Sequence, residues 1–379
     1  MRYFLPILLT YVQLWGHGFI QSSKTQNSEI LKERYGAFLD LQYRDENIYK
    51  NGYLGSHGYE LHGLENTAQL QHMGLFYSFS YHNFNGAVEV NSHNGSDNSL
   101  DESIERAFLG YSTDNISLRL GRTEYAISLI EMKGYGYDFI KMPLALNSFF
   151  SGNYYGDGIS INLHTTHFNL QMDGLADMYS KKGKYSVKLS YTNHFYHNDM
   201  QLYSYFHKQP NVLSKFLSTS HQDGHSHSSG CSTLESGELC FDGSRDVYGV
   251  GLVFQNHYIN FLSEFLYNDE RGDIRSSSQQ IEEESKQYSA FTQLIFPISY
   301  FNIGYRYEYF WFDNSYNGLG ARDIKNTIFN NNFTTKQQYL GTALLSYIYH
   351  SHTFKVEYQH SENEKSIGLQ YLFVFDSGF

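Results

Sequence analysis

Residues 301–309 read FNIGYRYEY. Phe301, Ile303, Tyr305, Tyr307 and Tyr309 fall on one phase of a two-residue period; Asn302, Gly304, Arg306 and Glu308 fall on the other. Successive side chains of a strand point to opposite faces, so this stretch predicts a strand with one aromatic, apolar face and one polar face. The pattern recurs along the chain. Ile159, Ile161 and Leu163 alternate with Ser160, Asn162 and His164, and Phe168, Leu170 and Met172 with Asn169, Gln171 and Asp173. Val187, Leu189 and Tyr191 alternate with Ser186, Lys188 and Ser190. Tyr248, Val250, Leu252 and Phe254 alternate largely with glycines, and Phe354, Val356 and Tyr358 with Lys355, Glu357 and Gln359.

Read throughout, the period gives sixteen strands: 34–43, 68–81, 86–92, 105–112, 116–123, 156–164, 167–174, 184–194, 199–208, 246–255, 259–268, 287–296, 300–312, 337–349, 352–361 and 365–375. The connections sort by length. Those at 82–85, 113–115, 165–166, 195–198, 256–258, 297–299 and 350–351 are short. Those at 44–67, 93–104, 124–155, 175–183, 209–245, 269–286 and 313–336 are long, and only 362–364 breaks the alternation. All short turns then lie at one end and all long loops at the other, with both termini at the short-turn end. This is the plan of an all-β transmembrane antiparallel barrel of the bacterial outer membrane, with short periplasmic turns and long extracellular loops. A soluble sandwich or propeller would not separate its loops this way or line its outer face with Tyr and Phe.

Composition agrees. Aromatic residues make up 17% of the 379-residue chain, including 35 Tyr and 29 Phe, and there are only 4 Pro, which a closed ladder tolerates poorly. Charged residues are also 17%, below the roughly 25% of soluble proteins. Mean hydropathy is -0.48 because Asn, Ser, Gln, His and Tyr carry the polar share. A net charge of -12 lacks the basic footprint of nucleic-acid binding. The first residues, MRYFLPILLTYVQLWGHGF, place Arg2 before an apolar run that is too short for a membrane helix. They predict a signal peptide over 1–18, cleaved after Gly16-His17-Gly18. A short periplasmic segment, 19–33, leads into a barrel over 34–379. That leaves no room for a plug domain.

The last segment reads SIGLQYLFVFDSGF, with Ile367, Leu369, Tyr371, Phe373, Phe375 and Phe379 in one phase. It resembles the terminal strand of Gram-negative outer-membrane proteins. The resemblance implies recognition by the barrel-assembly machinery, although Asp376-Ser377-Gly378 intrudes before the final Phe. By architecture the chain is similar to the sixteen-stranded porin superfamily. Residues 118–146, LRLGRTEYAISLIEMKGYGYDFIKMPLAL, loosely resemble the phosphate-selective and major outer-membrane porin groups. There an arginine-glycine strand precedes a third loop that folds inward and sets the constriction. The resemblance gives that role to 124–155 and implies a homotrimer.

Within the strands, parity aims Arg119, Lys188, Arg306 and Lys355 at the lumen, with Arg122 closing its strand. Against them stand Asp40, Glu89, Asp173, Glu264, Glu308 and Glu357. Six acids against four bases predict a mild cation preference. The function expected is a porin, a passive aqueous channel for small hydrophilic solutes or ions that needs no cofactor. An alternative is zinc capture or uptake. The longest loop, 209–245, carries His221, His225 and His227, whose imidazoles can hold Zn²⁺. Cys231 and Cys240 predict a disulfide at its base in an exported protein. An adhesin or outer-membrane enzyme is the remaining alternative; no nucleophile elbow, HExxH or phosphate loop is present, so no catalytic activity is expected.

Overall fold

A computed structural model describes residues 31–44, 68–93, 103–128, 139–140, 142–143, 146, 149–150, 155–177, 183–216, 234, 239–322, 337–361 and 365–377. These form sixteen strands. The first eight are β1 (Lys32–Arg44), β2 (Ala68–Tyr81), β3 (Phe84–His93), β4 (Ile104–Ser112), β5 (Ile116–Glu124), β6 (Tyr155–His164), β7 (Phe168–Asp177) and β8 (Gly183–Phe195). The second eight are β9 (Asn198–Phe216), β10 (Leu239–Gln255), β11 (Asn260–Arg275), β12 (Gln280–Ile298), β13 (Phe301–Asn317), β14 (Gln337–Tyr349), β15 (His352–His360) and β16 (Lys365–Asp376). Each pairs antiparallel with its neighbours, and β1 pairs with β16 from Gly36↔Asp376 to Arg44↔Gly368, closing the barrel. At this seam Arg34 forms an ion pair with Asp376, and the Ser377 N–H donates to the Tyr35 carbonyl at 2.9 Å. The polar residues before the C-terminal Phe therefore extend the closing ladder.

The outer face is apolar and exposed: Leu75, Leu109, Leu120, Ile159, Leu189, Val250, Ile303, Leu345 and Val356 all point outward. With no water to satisfy strand edges, a closed ladder carrying such a belt is built to sit in a bilayer. Aromatic rings bound the belt. At the long-connection side Phe206, Tyr248, Tyr267, Tyr288 and Trp311 form one row across β9–β13, with successive ring centroids 5.0, 5.9, 5.0 and 4.3 Å apart. At the short-turn side lie Phe84 beside Tyr111, Phe168 beside Tyr191 and Phe301 beside Tyr347. From Phe301 to Trp311 the strand rises about 3.3 Å per residue. Tilted by roughly 40°, it spans about 25 Å, the height of an apolar barrel band.

The tight turns before β3, β9, β13 and β15 each contain a non-glycine residue in the left-handed region: His82, Tyr196, Ser299 and His350, with φ between 50 and 58°. Tight hairpins need this backbone twist. At the other end the strands run further than the sequence predicts. The expected long loop 269–286 is mostly ladder, since β11 and β12 continue above the aromatic row and join through 276–279. The physical reason is that their outer faces leave lipid there. Asp269, Arg271, Glu284 and Lys286 replace the apolar set, with Arg271–Glu284 at 3.8 Å and Lys286–Glu284 at 3.5 Å. The part of 209–245 nearest the barrel is likewise strand, up to Phe216 and from Leu239.

Candidate functional site in the barrel interior

Parity along each strand decides what enters the barrel. Of the residues predicted to point inward, Arg122, Asp173, Glu264, Arg306, Glu308, Lys355 and Glu357 are buried, and Arg119 and Lys188 are partly so. Most are bound to one another or to the segment between β5 and β6. The Arg306 Nε donates to Glu308 at 2.8 Å, and the Arg122 guanidinium grips Asp157 at 2.8 and 3.0 Å.

The segment leaving β5 turns into the barrel. The Ala126 N–H donates to Asp173 on β7 and, at 3.1 Å, to the Ser186 hydroxyl on β8. Lys188 donates to the carbonyls of Ile127 and Ser128 at 3.0 and 3.2 Å. Ser128 donates to Glu264 on β11 at 2.5 Å. Further along, the Ile140 N–H donates to Glu357 on β15, and the Arg306 guanidinium lies 4.6 Å above the Phe139 ring. On the way back Arg245 donates to the Phe149 carbonyl at 2.5 Å. Phe149 then packs on Phe310, and Phe150 on Tyr205 and His207. The segment thus reaches from the β7–β8 wall to β15 and returns.

Glu264 anchors one end of this crossing. Its two carboxylate oxygens accept from Tyr203 at 2.5 Å and Tyr205 at 2.6 Å. Those two rings are stacked at 6.4 Å and lie over β10. A Cβ on Gly249 or Gly251 would sit 2.2 Å from the Tyr205 ring or 2.3 Å from the Tyr203 ring, so any side chain at these positions has to displace a ring that Glu264 holds.

The interior has two unlike walls. On β9–β14 Leu262, Leu266, Phe291, Phe310, Phe312 and Leu340 point inward and form one apolar cluster with Ile127, Leu146, Phe149 and Phe150, set among paired polar groups such as Arg245–Glu270 and Arg306–Glu308. On β5–β8 the inward side chains are mostly polar: Ser117, Arg119, Ser160, Asn162, Gln171, Asp173, Lys184, Ser186 and Lys188, with Tyr155 and Leu175 at the far end joining the apolar cluster. This division was not expected from sequence. On β13, Phe310, Trp311 and Phe312 are apolar on both phases, so alternation there does not tell lumen from lipid. The inward bases Arg106, which pairs with Glu124 and lies 3.8 Å from Glu89, and Arg245, which pairs with Glu270, were also missed. Parity could have found Arg106. Arg245 and Glu270 fall in stretches that read as loops, where the alternation gives no inward phase. His221, His225, His227 and Cys231 lie outside the described residues. Cys240 is buried and disulfide-bonded.

Solved structures share this architecture. The chain is similar to an anion-selective porin from Comamonas acidovorans, at 10% identity over 91% of this chain and 100% of that one, with a TM-score of 0.54. It is similar to the outer membrane channel DcaP of Acinetobacter baumannii, at 11% identity over 94% and 100%, TM-score 0.54. It is also similar to a trimer form of OmpT, an outer membrane protein of Vibrio cholerae, at 10% identity over 91% and 99%, TM-score 0.50. No protein-family profile matches the sequence, and no curated protein matches it significantly. At such identities the likeness is one of fold, and the fold is the closed sixteen-stranded barrel of bacterial outer-membrane porins.

Proposed function

We propose that the protein is a narrow channel of the bacterial outer membrane, passing small hydrophilic solutes and ions without a cofactor or catalytic step. The observation that carries this reading is the polar wall of β5–β8 inside a lipid-facing barrel. Charged and hydroxyl side chains there have no role in contacting lipid, and the inward segment after β5 narrows the space they face. A sixteen-stranded barrel is wide enough to leave an aqueous path beside such a segment. Selectivity by charge is slight on this reading. Among the described buried side chains seven bases (Arg34, Arg106, Arg122, Lys184, Arg245, Arg306, Lys355) face eight acids (Asp40, Glu89, Asp173, Glu264, Glu270, Glu283, Glu308, Glu357). That is closer to balance than the strand count from sequence, and with the inward, partly buried Arg119 and Lys188 beside them the charges set no strong preference for either sign. Outer-membrane lipid, the assembly machinery and two further copies of the chain are its proposed partners.

The test is single-channel recording of the refolded, heat-modifiable barrel in planar bilayers. Discrete steps of low conductance with a reversal potential near zero in a KCl gradient are expected. A folded barrel that produces no steps overturns the reading.

A further inference from the structure

Arg34, Arg106, Arg122, Arg245 and Arg306 each have a carboxylate partner inside the barrel. Arg119 is different. Among the described residues it forms no ion pair; its guanidinium lies over the Phe108 ring, 5.0 Å from the centroid. Stacking occupies a face of the guanidinium and leaves its edge of N–H donors free to bond. Asp173, on the same wall, is already engaged by Ser160, Ser186, Gln171 and the Ala126 N–H.

Arg119 also lines a cavity of about 40 Å³ with Ser117, Ser160, Asn162 and Gln171. The registers Arg119↔Ser160, Ser117↔Asn162 and Asn162↔Gln171 set these side chains in two adjacent rows on the inner wall. Asn162 Oδ1 is buried and, among the described residues, has no hydrogen-bond partner. An inward cation held in no ion pair and a buried acceptor without a donor among the described residues both carry a desolvation cost until something fills the space. The space exceeds that of one water.

We propose that this cavity is a subsite for a small planar oxyanion bearing one O–H, of the size of hydrogencarbonate. Two of its oxygens take the Arg119 edge in the fork geometry that guanidinium offers an oxyanion. Its O–H donates to Asn162 Oδ1, and the Ser117 hydroxyl completes the cradle. The subsite stands on this geometry whether or not the barrel conducts.

The probe is sodium [¹³C]hydrogencarbonate at pH 8 with the full-length folded protein in detergent micelles, at ionic strength held constant with gluconate. The ¹³C line is expected to broaden beyond its width in empty micelles, saturably. The excess should vanish in R119Q, which removes the charge, and in N162D, which supplies a built-in carboxylate beside Arg119 and retains the arginine. Heat-modifiable mobility on gels shows that both variants are folded. No excess width with the wild-type protein, or the same excess in either variant, overturns the proposal. Bilayer recording of the same samples separates this result from the channel reading: binding without steps retires the channel and keeps the subsite, and steps without binding do the reverse.

Discussion

Glycine at 249 and 251 is fixed by what lies across from it. The Tyr203 and Tyr205 rings occupy the space a side chain would need, and their hydroxyls hold both oxygens of Glu264. Gly251→Ala is therefore expected to destabilise the folded barrel by about 1–3 kcal/mol, the usual effect of overpacking. The check is the midpoint of urea unfolding in vesicles. Gly174→Ala is the control, because a Cβ there meets nothing within 4 Å, and its unfolding free energy should not change by more than about 0.5 kcal/mol. Glu264→Ala acts on the crossing segment instead. It removes the acceptor of Ser128 and of both tyrosines, and deprives Lys188 of a nearby carboxylate. Hydrogen bonds to a charged group are worth about 1.5–3 kcal/mol each. The expected outcome is a larger single-channel conductance and faster proteolysis within 124–155, with Glu264→Gln milder in both. Unchanged conductance and cleavage would show that Glu264 does not hold the segment.

At the scale of strands, depth in the bilayer governs tolerance. Leu294 pairs with Tyr305 near the middle of the belt, and Trp311 ends the aromatic row. Leu294→Arg is expected to cost about 2–4 kcal/mol and Trp311→Arg about 0–1 kcal/mol. Unfolding into urea from lipid vesicles measures both, and equal costs would refute the assignment of the belt. The same physics explains what could be read from sequence. Where one face meets lipid and the other is polar, as in 301–309 or 352–360, alternation is clean and the strand limits at the short-turn end are legible to within a residue or two. Above the row, Asp269, Arg271 and Glu284 face water, so 269–275 and 280–286 look like loop although the ladder continues through them. Inside, parity places Arg119, Lys188, Asp173 and Glu357 on the inner wall. It does not announce the apolar cluster, because Leu262, Phe291 and Phe312 each have an apolar or aromatic outward neighbour (Phe261, Ala290 and Trp311), so hydrophobicity alone does not say which phase faces in. It is equally silent on partners such as Phe139 for Arg306, which a loop brings from another part of the chain.

For the molecule as a whole, the zinc reading makes its own prediction. If His221, His225 and His227 capture metal, micromolar Zn²⁺ changes the single-channel current of the wild-type protein and leaves the triple alanine variant unaffected. The same response in both would remove those histidines from consideration. A homotrimer predicts cross-linked species of three chains that dissociate on heating before the barrel unfolds; a single monomer band under mild extraction would contradict it. The inward segment also imposes an order of events on folding. It is synthesised between β5 and β6, whereas the surface that receives Phe149 and Phe150 is assembled from β9–β14, many residues later. Its apolar side chains are made before their binding wall exists, and they are enclosed only when β1 meets β16. Closing the cylinder and seating this segment are thus one step of a long-range search, in which the earliest-made insert waits for the last-made staves.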